Sequence, residues 1–320
     1  MILITEDVWG PEFEALSNRY QLRYEPDLWK DPSHIKEILP EVTAWVVRNK
    51  TKVTSDLISS APNLRVIARA GVGLDNIDLT AANAAGVAVS AALGVNAVSV
   101  AEHTLGLALS LARDTIPLNQ ASLAGQWNRL PGVELAGKTW GLLGFGATAR
   151  ATAHLLKGFG LRIQAYDPYA TPTEAQLNEL NASLGSAEEV FSNSDLISIH
   201  LPNTPSTNKF VNAQSIAQMK DGVFIINVGR GEVIDETDLI QALKSGKVAG
   251  AGLDVRESEP PVVGEMETLK NVVLTPHIAG ITNESQSRII RFLSDDIDRA
   301  LSNKDLICAV GDVKTFATTA

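Results

Sequence analysis

The sequence predicts an α/β protein built from two doubly wound domains with parallel sheets. Short apolar runs typical of buried strands alternate with helical stretches, and the alternation forms two separate series along the 320 residues. In the second series, one strand runs into a glycine loop, and three later strands are each followed closely by charged or titrating residues. A chain of this length can bury a separate core in each of two domains.

The first series occupies residues 1–96. Its predicted strands are Met1–Ile4, Ala44–Val47, Val66–Ala68 and Val87–Ser90. The next segment, Ala97–Leu111, is rich in Ala, Leu, Ser and Gly and carries few charges. A helix that is apolar on nearly all sides is buried, so we expect this one to lie between domains or at a subunit interface.

The second series begins at Thr139. Its predicted strands are Thr139–Gly144, Leu161–Tyr166, Leu196–His200, Val223–Asn227, Ala249–Leu253 and Val272–Leu274. Within Ser287–Leu301, apolar residues recur at helical spacing, namely Ile290, Leu293, Ile297 and Leu301. We expect this helix to return to the first domain. The predicted domains are therefore 1–96 plus 283–320, which is discontinuous, and 97–282.

The composition excludes several classes of function. Hydrophobic residues make up 45% of the chain and charged residues 20%, and the net charge of −10 argues against nonspecific binding to nucleic acid. A local cluster of arginines can still bind an anionic substrate. The Met1–Ile4 run lacks the basic flank of a signal peptide and is too short to span a membrane. We therefore expect a cytoplasmic protein with no membrane partner.

The single cysteine, Cys308, excludes an internal disulfide and a cysteine-based metal site. It lies in the apolar run Leu306–Val310, where packing is a more common role than nucleophilic chemistry. No metal is predicted.

Residues 139–149 form a strand that runs into a G-x-G-x-x-A loop with Gly144, Gly146 and Ala149. The first glycine permits a tight turn, the second lets the backbone approach a pyrophosphate, and the small third residue lets helix and strand pack closely. The predicted helix Ala149–Phe159 directs its N-terminal N–H groups at that pyrophosphate. The motif alone does not separate a dinucleotide site from an ordinary tight turn.

Asp167 ends the next predicted strand, 18 residues beyond Ala149. A carboxylate at this place accepts hydrogen bonds from the adenosine ribose of a dinucleotide. Its charge repels a 2′-phosphate, and Pro168 adds no cation, so the sequence favours NAD over NADP. The alternative role for Asp167 is that of a turn or helix-capping aspartate before proline.

Three charged or titrating residues follow the ends of strands in the second series. They are Arg230 after Val223–Ile226, Glu259 after Val248–Leu253 and His277 after Val272–Leu274. Neighbouring strand ends in an open α/β sheet converge on one crevice. A cation, a carboxylate and an acid/base group at one place suit polarising a carbonyl and moving a proton. Taken singly, each residue also fits an ordinary structural role.

Further motifs occur in order along the chain, namely Arg69–Asp78 (RAGVGLDNID), Asn96–His103 (NAVSVAEH) and His200–Pro205 (HLPNTP). With the glycine loop and the three strand-end segments, they resemble the D-isomer-specific 2-hydroxyacid dehydrogenase family over essentially the whole chain. The motifs are most similar to those of phosphoglycerate dehydrogenase-like members without a regulatory domain. The resemblance implies a flavodoxin-like, substrate-binding domain in 1–96 plus 283–320 and a Rossmann, NAD-binding domain in 97–282.

The resemblance also implies roles for individual residues. Arg230 would hold the substrate carboxylate and carbonyl, His277 would be the general acid/base, and Glu259 would be its hydrogen-bonded partner. The implied NAD contacts are Gly144, Gly146, Ala147, Thr148, Asp167, His200, Leu201, Pro202, Val228, Gly229, Arg230, Asp254, His277 and Gly280. The implied substrate contacts are Arg48, Arg69, Val72, Gly73, Asn96 and Arg230. The sequence departs from the family pattern at Thr148, where an aliphatic residue is usual, and in Ser90–Gly94, which lacks a common proline.

The residue types agree with this chemistry. Reduction of a 2-keto acid builds negative charge on the carbonyl oxygen, to which a protonated His277 can donate. Glu259 would keep that imidazolium populated near neutral pH. Arg230 supplies a bidentate fork for a carboxylate, which lysine cannot reproduce. In oxidation, the deprotonated histidine would act as the base.

For an acidic protein, the first domain contains an unusual local concentration of cations, namely Arg48, Lys50 and Lys52 in one segment together with Arg69. The segment Val47–Val53 resembles one in phosphoglycerate dehydrogenases whose arginines help hold a second anionic group. We therefore expect a three-carbon 2-hydroxy or 2-keto acid with a terminal anion, such as 3-phosphoglycerate or 3-sulfolactate. A glyoxylate/hydroxypyruvate reductase is the alternative, and solvated surface lysines are the alternative role for Lys50 and Lys52.

Other interpretations are an NAD-sensing binding protein of the corepressor type and a formate- or phosphite-type dehydrogenase. Corepressor relatives usually carry extra partner-binding segments, which this sequence lacks, and formate enzymes have glutamine in place of Glu259. The helix at Ala97–Leu111 and the family both favour a homodimer. We expect no serine feedback, because the 320 residues include no regulatory module.

Overall fold

The computed structural model describes residues 1–314 and divides the chain into two compact units. Unit 1 is Met1–Asn96 with Asn283–Ala320, and unit 2 is Ala97–Thr282. Residues 315–320, which the prediction placed in the first domain, lie outside the described part. Each unit contains one sheet, and both sheets are mostly parallel. The predicted α/β class with two parallel sheets is therefore confirmed.

Most of the strands have three to five residues, and most of the helices have ten residues or fewer. The strands are β1 (Ile2–Ile4), β2 (Leu22–Tyr24), β3 (Ala44–Val47), β4 (Val66–Arg69), β5 (Ala88–Ala91), β6 (Thr139–Leu143), β7 (Arg162–Tyr166), β8 (Ala182–Leu184), β9 (Leu196–Ile199), β10 (Val223–Asn227), β11 (Val248–Leu253), β12 (Val272–Leu274) and β13 (Ala309–Val310). The helices are α1 (Pro11–Ser17), α2 (Pro32–Ile38), α3 (Ser55–Ser59), α4 (Leu79–Ala84), α5 (Ala97–Ala112), α6 (Thr115–Leu123), α7 (Ala147–Leu156), α8 (Glu174–Leu180), α9 (Ala187–Asn193), α10 (Ala213–Gln218), α11 (Glu236–Ser245) and α12 (Asn283–Leu301).

The strand order reverses once in each sheet. The order in unit 1 is β13-β5-β4-β3-β1-β2, with β13 antiparallel to β5 and the other neighbours parallel. The order in unit 2 is β12-β11-β10-β9-β6-β7-β8, all parallel. The reversals lie between β1 and β3 and between β6 and β9. Ligands of doubly wound sheets bind outside the carboxyl ends of the strands at such reversals.

The central strands of unit 1 are buried on both faces, which explains their continuous apolar runs. Ile2 and Ile4 of β1 belong to an apolar cluster that includes Phe13 of α1 and Leu293 of α12. Leu3, between them, belongs to a second cluster on the other face. The helix α12 therefore packs in unit 1, although it is separated from β1–β5 along the chain by all of unit 2.

The helix α5 packs against α7 and against strands β10–β12 of unit 2. Two glycines of β11 permit the close approach, because a Cβ at Gly250 would lie 3.1 Å from Leu111 and one at Gly252 would lie 3.0 Å from Leu107. Leu107, Ala108 and Leu111 are buried. The sheet of their own unit buries these residues, and the placement of the helix between domains or at a subunit interface stays a prediction.

Several boundaries differ from the sequence-based expectation. The strands β2, β8 and β13 are missing from the sequence-based expectation because each has only two or three residues, with half-buried or exposed side chains. The helix α12 begins at Asn283 instead of Ser287, and α7 begins at Ala147 instead of Ala149. The first turn of α12 is polar, which conceals the start of that helix, and the difference of two residues at α7 is within the usual uncertainty of a helix boundary.

Cys308 is partly buried and packs against the cluster that contains Ile2 and Ile4. Burial, with a smaller contribution from the charge of Asp296, raises the pKa of its thiol, which makes it a poor nucleophile. Within residues 1–314, no helix is long and apolar enough to cross a membrane. Over the same range, no three His, Cys, Asp or Glu side chains are grouped so that they could hold a metal ion.

Candidate active site

His277 and Glu259 form a hydrogen-bonded pair at the carboxyl edge of the unit 2 sheet. Glu259 lies on the loop after β11, and His277 lies on the loop after β12, the strand that pairs with β11. The His277 Nδ1 atom is 2.7 Å from Glu259 Oε2, and the two side chains are 47% and 36% exposed. Because Nδ1 is hydrogen-bonded to Glu259, Nε2 is the ring nitrogen that can contact a ligand.

The loop that carries Glu259 is anchored by Arg256. Burial raises the pKa of the Glu259 carboxyl, but the His277 ring and the Arg256 backbone N–H, at 3.1 Å, hold that pKa below its usual value. The Arg256 guanidinium donates to both oxygens of Glu236, at 2.8 and 2.9 Å, and to Glu267 at 2.5 Å. A bidentate pair of this kind fixes the backbone on which it sits.

The backbone of His277 lies in the left-handed region, with φ 56°. This conformation is costly for a residue other than glycine and occurs often at active sites. Asp254 holds it in place. The Asp254 carbonyl accepts the His277 N–H at 2.7 Å, and its carboxylate accepts the N–H groups of Ile278 and Ala279 at 2.9 and 2.8 Å.

Two residues that were not among the predicted site residues complete this arrangement. The Thr275 hydroxyl donates to Asp254 at 2.6 Å, and His103 Nε2 lies 3.0 Å from the Thr275 hydroxyl and 3.5 Å from Asp254. Burial raises the pKa of Asp254, whereas the contacts with His103 and Thr275 contribute to a net lowering. Asp254, predicted as a cofactor contact, thus also fixes the turn that carries His277. The Asn96–His103 motif contained His103 but gave no sign of this contact, which spans 172 positions.

Arg230 lies on the loop after β10, the strand next to β11. The buried side chain of Asn227 shapes this loop, since it accepts the Gly229 N–H at 3.1 Å and donates to the Arg230 carbonyl at 3.0 Å. Gly231 lies so close to the Arg256 backbone that a Cβ on Gly231 would overlap it. The loop of Arg230 therefore packs directly against the loop that carries the carboxylate of the pair.

The glycine loop joins β6 to α7 at the reversal of the unit 2 sheet. Gly144 has φ 94°, and a Cβ there would lie 3.2 Å from the backbone of His200. A Cβ at Gly146 would meet no atom within 4 Å, so this residue faces open space beside the N-terminus of α7. Ala149 is fully buried, as close packing of α7 on the sheet requires. These features fit a pyrophosphate bound by the backbone N–H groups of α7.

Asp167 follows β7 and lies beside the glycine loop. One carboxylate oxygen accepts the Phe145 N–H at 2.8 Å, and the other accepts the N–H groups of Tyr169 and Ala170 at 2.9 and 3.2 Å. The carboxylate thus shapes two turns, as the alternative interpretation of this residue expects. Since a carboxylate offers about four acceptor positions, it keeps room for a ribose hydroxyl.

His200 follows β9, and both of its ring nitrogens have partners. Nε2 lies 3.0 Å from the Ser198 hydroxyl, and Nδ1 lies 3.2 Å from the hydroxyl of Thr148 on α7. Burial lowers the pKa of His200 to about 3, so the ring is neutral near pH 7. The contact explains Thr148 physically, because an aliphatic residue could not bond the ring.

The remaining predicted cofactor contacts lie at the same edge of the unit 2 sheet. They are Ala147 in the first turn of α7, Leu201 and Pro202 after β9, Val228 and Gly229 after β10, and Gly280 after β12. The loops after β9 and β10 pack closely, because a Cβ at Gly229 would lie 2.7 Å from the Leu201 carbonyl. These residues thus lie together at the carboxyl edge of the unit 2 sheet.

The predicted substrate contacts of unit 1 also share an edge. Arg48 follows β3 and Arg69 ends β4, and these strands pair in parallel with Val47 opposite Arg69. Val72–Gly73 lie in the segment after β4 and are partly buried. Among the described residues, Asn96 Oδ1 is buried and has no hydrogen-bond partner. A buried amide in this state is a candidate contact for a ligand.

Comparison with known proteins identifies relatives that match most of the chain. Residues 105–279 match the model of the D-isomer specific 2-hydroxyacid dehydrogenase, NAD binding domain. The chain is 43% identical over 282 residues to a hydroxypyruvate reductase from Thermotoga maritima, covering 86% of this chain and 90% of that protein. It is 40% identical over 266 residues to a D-3-phosphoglycerate dehydrogenase from Archaeoglobus fulgidus, covering 82% of this chain and 50% of that protein.

Among solved structures, a D-lactate dehydrogenase from Aquifex aeolicus, complexed with NAD and lactic acid, is 28% identical and has a TM-score of 0.84. The match covers 94% of this chain and 96% of that one. The chain thus spans nearly all of the reductase but half of the phosphoglycerate dehydrogenase. The predicted family and the predicted cofactor, NAD, are confirmed. The chain belongs to the D-isomer-specific 2-hydroxyacid dehydrogenase family of NAD-dependent oxidoreductases.

Proposed function

We propose that this protein interconverts a 2-hydroxy acid and the corresponding 2-keto acid, and that the preferred acid carries a second anionic group. NAD, when bound, supplies the hydride chemistry at C2. In this proposal, His277 exchanges the proton with the substrate oxygen and Glu259 orients His277. Arg230 binds the substrate carboxylate through its planar fork of donors.

The observation that carries the proposal is the 2.7 Å hydrogen bond between His277 Nδ1 and Glu259. With Nδ1 turned to the carboxylate, Nε2 is the atom that exchanges the proton. In reduction, the proton passes from Nε2 to the substrate oxygen as negative charge develops there, and the neutral ring stays bonded to Glu259. In oxidation, Nε2 takes the hydroxyl proton, and the Glu259 carboxylate stabilises the imidazolium that results.

The proposed second anionic group rests on the basic edge of unit 1. The parallel pairing of β3 with β4 supports a joint role for Arg48 and Arg69, since both follow or end strands at that edge. The net charge of −10 makes a cluster of cations there unusual. A phosphate, sulfonate or carboxylate at the far end of a three-carbon acid is the group that an arginine recognises with two parallel hydrogen bonds. The similarity to a phosphoglycerate dehydrogenase agrees with this choice.

The second candidate is a hydroxypyruvate or glyoxylate reductase. It is favoured by the 43% identity to a hydroxypyruvate reductase, of which this chain covers 90%. Hydroxypyruvate ends in a neutral hydroxyl group and glyoxylate has no third carbon, so neither requires a second cationic site. The two candidate functions therefore differ in the role of Arg48, which binds a terminal anion of the substrate only in the first.

The deciding experiment measures NADH-dependent reduction of glyoxylate, hydroxypyruvate, 3-phosphohydroxypyruvate and 3-sulfopyruvate by the wild type and by Arg48→Ala. We expect the highest kcat/KM for an acid with a terminal anion, and a loss of about 10- to 100-fold in Arg48→Ala for those acids alone. Lys52→Ala, which removes an exposed cation of the same segment, is the matched control. Equal losses for glyoxylate and 3-phosphohydroxypyruvate would favour the second candidate.

We also propose that the protein is a homodimer. The end of α6 and the segment that joins it to β6 expose large apolar side chains, with Leu123 81%, Trp127 85% and Leu130 64% exposed. Apolar residues concentrated in this way are typical of a surface that another chain covers. Sedimentation equilibrium of the wild type should give twice the chain mass, whereas a monomer at micromolar concentration would contradict the proposal.

A further inference from the structure

The carboxylate of Glu6 lies at the strand reversal of unit 1 and accepts hydrogen bonds from four consecutive backbone N–H groups. Glu6 comes just after β1, and the four residues, 48–51, come just after β3. The donors are Arg48 at 2.7 Å and Thr51 at 2.9 Å to one oxygen, and Asn49 at 3.2 Å and Lys50 at 3.0 Å to the other. Residues 48–51 are hereafter the 48–51 turn.

Glu6 is 2% exposed and nevertheless ionised. Burial raises the pKa of its carboxyl, but the backbone N–H groups of Thr51, Lys50 and Arg48 hold that pKa below the usual value. Successive backbone N–H groups that converge on one point form a nest of the kind that binds phosphate in other proteins. In this protein, the nest is filled by a side chain of the same unit.

The carbonyl side of the 48–51 turn is held as firmly as the N–H side. The buried amide of Asn76 donates to the carbonyl of Arg48 at 3.1 Å and to that of Thr51 at 2.7 Å. The Thr51 hydroxyl lies 3.0 Å from the hydroxyl of Thr5. The buried side chains of Glu6 and Asn76 thus hold the N–H groups and the carbonyls of the turn, respectively. Together they fix the Cα position of Arg48 and the direction in which its side chain leaves the backbone.

The cations of the turn are not equivalent. The Lys50 ammonium lies over the ring of Trp29, 4.8 Å from its centre, in a cation–π contact. Arg48 is half-buried and stands next to β3, at the strand reversal where ligands of doubly wound sheets bind. Of the two, Arg48 is therefore the better placed to bind an anion.

Burying the ionised carboxylate of Glu6 costs desolvation free energy. Glu6 follows the apolar strand Ile2–Ile4, and an apolar residue at position 6 would avoid this cost. Without the carboxylate, however, the four N–H groups of the 48–51 turn would attract an anion from solution. An anionic substrate could then bind the backbone nest in competition with Arg48.

We propose that Glu6 is a positioning residue for the terminal anionic group of the substrate. It fixes the 48–51 turn so that the Arg48 guanidinium is presented in one place, and it fills the backbone nest so that the anion binds the guanidinium instead. This inference rests on the proposed function, because it assumes that Arg48 binds the terminal anion. In this role, Glu6 affects which acid the protein prefers and takes no part in proton transfer.

The test compares the wild type with Glu6→Gln, which keeps the size of the side chain and removes the charge. The glutamine NH2 group faces backbone donors and cannot accept from them. We expect the KM for 3-phosphohydroxypyruvate to rise about tenfold, with kcat changed less than about twofold and a fall of about tenfold in the ratio of its kcat/KM to that of glyoxylate. Glu14→Gln, an exposed glutamate of α1, is the matched control and should match the wild type.

A second readout does not depend on activity. Amide hydrogen exchange at 48–51 should be about tenfold faster or more in Glu6→Gln, with the amides of β1 and β3 unchanged. Unchanged exchange at 48–51 would overturn the anchoring role, and equal KM changes for both keto acids would overturn the selective role. If Arg48→Ala discriminates between the acids and Glu6→Gln does not, the inference about Glu6 is wrong. If neither variant discriminates while exchange is faster, the proposed terminal anion is wrong and the anchoring of the turn stands.

Discussion

His277 Nδ1 lies 2.7 Å from the Glu259 carboxylate while the backbone of His277 stays in the left-handed region. That backbone conformation costs about 1–2 kcal/mol for a residue with a Cβ. The hydrogen bonds of Asp254 to the same turn offset it. Glu259 thus holds the ring through Nδ1, and the hydrogen bonds of Asp254 hold the backbone of the same residue. The Nε2 atom of His277 therefore points in a defined direction.

Replacing Glu259 by glutamine should slow catalysis without abolishing it. The amide oxygen can still accept from Nδ1, but no negative charge remains to stabilise the imidazolium. We expect kcat for keto-acid reduction to fall about 10- to 100-fold, less than the 10²- to 10⁴-fold expected on losing the acid itself in His277→Ala. Steady-state kinetics at saturating NADH measures both. Glu257→Gln, exposed on the same loop, is the control, and a Glu259→Gln enzyme within about threefold of wild type would contradict the pairing.

Gly231→Ala should disturb the packing of two loops at once. Its new Cβ would overlap the Arg256 backbone, so the loop of Arg230 must move away from the loop of Glu259. We expect the free energy of unfolding to fall by about 1–3 kcal/mol, as in other overpacked sites, and kcat/KM to fall at least about tenfold as Arg230 is displaced. Urea unfolding and kinetics provide the measurements. Gly264→Ala, whose Cβ would come no closer than 3.7 Å to another atom, should behave like the wild type.

Much of this architecture could be predicted because buried parallel strands have continuous apolar sequences. The run Val223–Asn227 is a strand in both prediction and structure, and the residues after it form the loop of Arg230. The strand end also predicts the edge on which a side chain lies, which is why His277 and Glu259 could be placed together. Short edge strands such as β2 and β8 have no such signal, because none of their side chains is fully buried.

Contacts between distant polar residues could not be predicted. The bond between His103 and Thr275 joins positions 172 apart, and Glu6 meets the 48–51 turn across more than 40 positions. Each of these groups is satisfied by hydrogen bonds that depend on the strand order, and a polar residue carries no periodic pattern. A single glutamate after an apolar strand therefore gives no sign of whether it faces water or a backbone nest.

The two roles of Asp167 can be separated by Asp167→Asn. The variant removes the negative charge and keeps one acceptor for the backbone bonds to Phe145 or Tyr169. If the carboxylate binds ribose and repels a 2′-phosphate, the ratio of kcat/KM for NADPH to that for NADH should rise about tenfold or more. A lower melting temperature with an unchanged ratio would mean that Asp167 serves only the turns. Asp221→Asn, exposed and in the same unit, controls for the loss of one charge.

His200 should make stability depend on pH. Burial lowers its pKa from 6.5 to about 3, so below pH 6.5 the unfolded chain takes up a proton that the folded protein does not accept until about pH 3. The free energy of unfolding must therefore decrease as the pH falls through this window, by at most about 1.4 kcal/mol per pH unit from this ring. Urea unfolding between about pH 4 and 7 should show a shallower slope for His200→Gln than for the wild type. His154→Gln, which removes an exposed histidine of α7, should keep the wild-type slope. Equal slopes in all three proteins would mean that the His200 ring is protonated as readily in the folded protein as in the unfolded chain.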